Sequence, residues 1–251
     1  MFRAVLTLVA LAVVLAGNST TSAAEISVLS AGAVEGGIVR LIEQFRQTSG
    51  HVVRVEYATS PELSQRLTAA QSADVLIAPV AVMDRAVADR KAVGNSRITV
   101  GRVGIGVIVR EGARIPAITS ADALRRAFLE ADTIVYNRGS SGLYIEKLLA
   151  QMGIAEEVKS RTAQVADGED VMRRIIAGSG AEIGLAAISA IKIFQPQRFQ
   201  YIGPLPAAIQ NLTTYDAAVM TAAREPRAAA AFVQFVTTPA ARRIFLEAGV
   251  E

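Results

Sequence analysis

The sequence predicts an α/β fold divided into two lobes built on largely parallel sheet. Three observations predict it. Short β-branched apolar runs alternate with amphipathic helical stretches, the signature of βα units. The alternation continues through a chain of 251 residues without repeat, linker or low-complexity segment, a length better divided into two lobes than gathered into one. Glycine and small hydroxyl residues open several helices that follow strands, the edge at which open sheets bind ligands.

The elements follow in order. ISVLS at 26–30 reads as a strand, and Ile38, Leu41, Ile42 and Phe45 recur at helical spacing until Ser49 and Gly50 stop the helix. VVRVEY at 52–57 alternates as a strand. Thr59-Ser60-Pro61-Glu62 starts the second helix, with Ser60 as N-cap and Pro61 in the first turn, where a missing N–H costs nothing. DVLIAP at 74–79 is a buried strand before a helix over 83–91, and RVGIGVIVR at 102–110 reads as one strand punctuated by Gly104 and Gly106. Ser120 caps a helix to Glu130, a strand follows at 133–137, and RGSSG at 138–142 opens a helix to Gly153. After a polar stretch come a helix at 169–177, an apolar run at 183–188, strands at 199–202 and 215–220, and helices at 227–235 and 240–247.

The first 24 residues stand apart. Met1, Phe2 and Arg3 form a short positive region, an apolar run fills 4–16, and Ser22-Ala23-Ala24 supplies small residues where a signal peptidase cuts. The run is too short to span a bilayer. The expected mature chain begins at Glu25 and works outside the cytoplasm. The chain has no cysteine, so neither disulfides nor thiolate chemistry are available, and a formal charge of +3 without like-charge blocks argues against nucleic-acid binding.

No GxSxG, HExxH or GxxxxGK[ST] pattern occurs. The lone histidine, His51, reads as a solvated loop residue, since a triad or metal cluster needs partners the chain does not supply. No catalytic residue, metal site or cofactor is expected. What remains are helix starts at 30–33, 59–60, 139–142 and 167–171, where free N–H groups and serine hydroxyls make an anion site without formal charge. Glu169 and Asp170 read as ordinary first-turn acids of their helix.

ADVLIAP (73–79), SSGLYIEKLLAQMG (140–153), GEDVMRRI (168–175), AEIGLAAISA (181–190) and TYDAAV (214–219) resemble the periplasmic molybdate-binding proteins of ABC importers and their class II solute-binding relatives, nearly end to end. The resemblance implies a class II periplasmic binding protein, with 25–103 and 212–251 as lobe I, 104–211 as lobe II, the two crossover strands near 104–106 and 213–215 as hinge, and a ligand cleft between the lobes. It implies that the chain captures a small anion and hands it to an ABC permease in the inner membrane. The expected state is a monomer, with no enzymatic step. Carried onto this sequence, the family's first ligand serine falls on Ala33, the second is kept as Ser60, and a small residue of the third site becomes Ser141, beside Ser140. A backbone donor is kept at Val171, and the tyrosine that closes a molybdate site becomes Ala187. Arg138, just upstream of Ser140, offers a guanidinium fork suited to a carboxylate, or else a surface pairing with Glu146 or Glu169. The ligand expected from these departures is an organic di- or tricarboxylate, with molybdate or tungstate as the alternative. From other classes, an exported hydrolase would need a nucleophile–base pair, and a regulator's effector domain would need a DNA-binding segment in place of the signal peptide.

Overall fold

The computed structural model describes residues 23–195 and 197–251, so all but the last two residues of the expected signal peptide lie outside the described residues. The first sheet gathers β1 (Glu25–Ala31), β2 (Val52–Ala58), β3 (Val75–Pro79), β4 (Ile98–Val103) and β10 (Thr213–Val219), in the order β2-β1-β3-β10-β4. The second holds β5 (Ile105–Arg110), β6 (Thr133–Asn137), β7 (Thr162–Val165), β8 (Glu182–Ala187) and β9 (Phe199–Pro204), in the order β7-β6-β8-β5-β9. Each sheet pairs three strands in parallel and then an antiparallel fourth. That fourth strand, β10 or β5, is the one by which the chain has just entered from the other sheet.

Helices connect the strands. In the first lobe these are α1 (Glu35–Ser49), α2 (Ser60–Thr68), α3 (Val80–Ala88), α9 (Pro226–Phe235) and α10 (Pro239–Glu247). In the second they are α4 (Ala121–Glu130), α5 (Ser140–Gln151), the short α6 (Ala155–Val158), α7 (Gly168–Ala177) and α8 (Ile188–Ile193). The predicted spacing of α1 holds: Ile38, Leu41 and Phe45 are buried on one face, and Phe45 meets the Phe232 ring edge-on at 5.1 Å. Phe128 and Leu124 of α4 and Leu148 of α5 enter the separate core of the second lobe. One apolar core in the first lobe, two in the second on opposite faces of its sheet, and two sheets make the predicted two-lobed fold.

The crossovers lie side by side. Thr213 pairs with Val103, and the Gln210 side chain accepts the Ile105 N–H and donates to the Ile105 carbonyl, both at 2.9 Å. A side-chain amide here completes the backbone pairing that a strand would otherwise supply. On the first sheet, buried Asp74 accepts from the Ser27 N–H and hydroxyl and from the N–H groups of Arg224 and Glu225, joining β1, the start of β3 and the start of α9.

Four sequence readings change. The run 102–110 is two strands in different sheets, because the chain turns from one lobe to the other at Gly104, where Gln210 and Ile188 approach within 3.3 Å of any added Cβ. Thr59, not Ser60, is the N-cap of α2; its N–H donates to the Glu62 carboxylate at 2.8 Å, one half of a capping box. The polar stretch after Gly153 contains α6 and the edge strand β7, whose half-exposed TAQV pattern gives little apolar signal. His51 is buried rather than solvated: its Nδ1 accepts the Ala24 N–H at 3.1 Å and its ring lies against Phe45.

Candidate functional site

Strand ends from both sheets face one another across a cleft of about 370 Å³. From the first lobe, Ala31, Gly32 and Ala33 after β1 line it, with Thr59 and Ser60 after β2. From the second come Gly139, Ser140 and Ser141 after β6, Asp167 and Gly168 after β7, and Ala187 at the end of β8. Tyr215 of β10 closes the back. The lobes also touch: Ser60 Oγ and Ser140 Oγ lie 2.5 Å apart, and the Ser189 hydroxyl donates to the Ala33 carbonyl at 2.5 Å.

The helix starts differ in what they leave free. The first turn of α7 is capped by its own Asp167, which accepts from the Asp170 N–H at 2.9 Å. The start of α5 has no such cap, because Gly139 brings no side chain, so its first N–H groups have no partner within the helix. Asn137 holds this turn in shape. Its Oδ1 accepts the Gly139 N–H at 2.7 Å, and its Nδ2 donates to Ser141 Oγ at 3.0 Å. Gly142 lets the helix sit directly on the strand end, since a Cβ there would stand 1.5 Å from the Asn137 carbonyl oxygen.

No lysine, arginine or histidine is among the described residues lining the cleft, whereas four carboxylates are: Glu35, Glu62, Asp167 and Glu169. Glu62 and Asp167 serve their own helix starts, and Glu169 pairs with Arg173. Glu35, half-buried in the first turn of α1, makes no ion pair or side-chain hydrogen bond among the described residues. Burial lifts its pKa above the usual carboxylate range, and the charges of Glu169 and Asp167 across the cleft add to the lift. The Tyr57 hydroxyl is buried in the cleft without a hydrogen-bond partner; burial first, then the Glu35 charge, raises its pKa. Burial pushes Tyr215 up to about 12, against a hydrogen bond with Ser140. Both phenols are therefore protonated donors at neutral pH.

Of the residues singled out in the sequence, Ala33, Ser60, Ser140, Ser141 and Ala187 line this one cleft. Two others do not. Arg138 is exposed, its N–H tied to the Val165 carbonyl at 3.1 Å, and neither suggested surface partner holds it: Glu146 accepts from Gln164, and Glu169 from Arg173. Val171 sits inside α7, where its N–H already donates to the Asp167 carbonyl at 3.3 Å. Sequence reading missed Asn137, Glu35, Tyr57 and Tyr215. Asn137, Tyr57 and Tyr215 lay inside predicted strands without being singled out, and Glu35 lay in no quoted motif.

Residues 26–251 match the family model described as bacterial extracellular solute-binding protein. A curated relative, named aconitate isomerase, from Pseudomonas sp, is 25% identical over 233 residues, covering 90% of this chain and 87% of its own. Among solved structures, the periplasmic molybdate-binding protein of Azotobacter vinelandii aligns with a TM-score of 0.74 at 16% identity, over 90% of this chain and 98% of that one. The sulfate-binding protein of Mycobacterium tuberculosis H37Rv aligns with a TM-score of 0.72 at 18% identity, over 90% and 86%. At such identities the two structures attest the fold rather than the ligand. Fold, cleft and family match agree: the chain belongs to the bacterial extracellular solute-binding proteins.

Proposed function

We propose that the cleft binds a small organic polycarboxylate between the two lobes and that the loaded protein delivers it to an ABC permease. The observation that carries this reading is the uncapped start of α5, whose free N–H groups and serines face Ser60 in a cleft with room for more than a tetrahedral oxyanion. Where the resemblance to molybdate-binding proteins implies a ligand serine and a closing tyrosine, this chain has Ala33 and Ala187, so those two side-chain donors to such an oxyanion are missing. Each is worth about 1.5–3 kcal/mol to a charged acceptor, so molybdate should bind roughly two to four decades more weakly than in a site that has both. Calorimetry on ligand-free protein tests this: measurable binding of a di- or tricarboxylate and weak molybdate binding are expected. Submicromolar molybdate binding with no response to carboxylates would overturn it.

A second reading makes the cleft an isomerising site for an unsaturated tricarboxylate. It is favoured by the relative named aconitate isomerase, matched over 87% of its own length, and by Glu35, a cleft carboxylate left over from every pairing among the described residues. Turnover of aconitate by the purified chain, followed by proton NMR, decides between capture alone and capture with isomerisation.

A further inference from the structure

We propose that Glu35 is a proton-transferring catalytic residue, acting with the Tyr57 hydroxyl on a bound polycarboxylate that carries a C–H next to a conjugated double bond. The inference rests on the polycarboxylate reading and deepens it by assigning the chemistry to this pair.

Three observations lead to it. A carbon acid needs a base in the cleft, and no histidine or lysine lines it among the described residues, so the base is a carboxylate. Three of the four carboxylates there are committed to helix caps or an ion pair, leaving Glu35. The buried, partnerless Tyr57 hydroxyl is a donor waiting for an acceptor, and a developing enolate oxygen would supply one.

The step balances without a co-reactant. The Glu35 carboxylate takes the proton from the saturated carbon, and the C–H electron pair becomes a new C=C bond. The former π pair moves into the conjugated carboxylate, whose oxygen accepts the Tyr57 O–H hydrogen bond. The carboxylic acid of Glu35 then returns the proton to the far alkene carbon. The double bond has shifted by one position, with no change in oxidation level.

The groups around Glu35 fix its pH behaviour. Asp167 and Glu169 face it from the start of α7, and Tyr57 from β2. Arg40, on α1 itself, is paired with Glu247 of α10 at 2.6 Å, and the Lys192 side chain of α8 lies against Gly249. The facing groups therefore hold no cation to neutralise Glu35 beside an anionic ligand. As pH rises through its raised pKa, turnover should increase while affinity for the polyanion falls.

The experiment uses the mature chain, with aconitate as probe, in D2O. Binding is read by calorimetry and carbon-bound deuterium by NMR, with melting temperatures to check folding. Wild type is expected to bind aconitate and to exchange its methylene protons. Glu35→Gln should still bind, with an affinity that no longer varies with pH, and exchange at least about 100-fold more slowly. Glu35→Asp should recover part of the exchange, and Tyr57→Phe should slow it about tenfold. Binding without exchange in wild type, or exchange undiminished in a folded Glu35→Gln, overturns the assignment and leaves the binding reading standing. Failure of wild type to bind aconitate or any other polycarboxylate overturns both.

Discussion

At Asp74 one buried carboxylate gathers four donors from Ser27, Arg224 and Glu225, tying the first strand to the start of a helix that lies 150 residues beyond Asp74 itself. Burial alone would raise its pKa, but the Ser27 hydroxyl and N–H, with the Glu225 and Arg224 N–H groups, outweigh that and hold it below the ordinary value. A depressed folded pKa means that the stabilisation is present above the unfolded value of about 3.9 and is lost as pH falls through the folded one. Asp74→Ala should lower unfolding stability by about 2–4 kcal/mol at pH 7, read by urea denaturation, and by much less in strong acid. In the cleft, Ser60→Ala should weaken ligand binding by about 1–3 kcal/mol in calorimetry and cost less in stability, because Thr59 rather than Ser60 caps α2. The serines were legible because hydroxyls at helix starts are a local pattern. Asn137 and Tyr57 read only as a strand end and an alternating strand residue, and Glu35 carried no signal, since only the approach of the two sheets makes them neighbours. For Arg138, adjacency in sequence to Ser140 left a cleft role and a surface role open, and its side chain is exposed, outside the cleft lining.

Helix placement is decided by a few glycines that carry no chemistry of their own. Gly142 seats α5 on the end of β6, and Gly37 admits the Phe245 ring to within 2.1 Å of where a Cβ would be, bringing α1 against α10. Gly142→Ala should cost about 1–3 kcal/mol or more and weaken ligand binding, because the clash is with backbone and the displaced turn is the one proposed to face the anion. Denaturation and calorimetry on one sample would show both losses; a variant that binds normally would place the site away from α5. The strand–helix alternation that defines these elements was legible from periodicity alone. The division at Gly104 was not, because RVGIGVIVR is equally apolar on either side of the point where the chain changes sheets.

Across the whole molecule, ligand capture and stability are one quantity. A ligand held by groups from both lobes binds only the folded, assembled pair, so at 100 times Kd it should stabilise the protein by about 2.7 kcal/mol. For a chain of this size that corresponds to a melting temperature roughly 5–10 °C higher. A thermal-shift screen of di- and tricarboxylates, molybdate, tungstate and sulfate should single out a carboxylate. A shift produced by molybdate alone would count against the proposed ligand. The two-lobed arrangement was legible from length, alternation and resemblance together, whereas the absence of cationic side chains among the described residues of the cleft emerges only when its walls are assembled.

The position of β10 has a consequence for how the chain acquires its structure. It lies between β3 and β4 yet comes from residues 213–219, whereas the second sheet is complete once residue 204 has been made. A chain released N-terminus first can therefore finish its later lobe before its earlier one, whose third and fourth strands stay unjoined until nearly the end. Such late, long-range closure is slow, and it leaves two apolar strand edges open to other chains in the interval. Pulse-labelled hydrogen exchange during refolding should find amides of β6 and β8 protected before those of β3 and β4. The reverse order would mean that the N-terminal strands pair stably without their C-terminal partner.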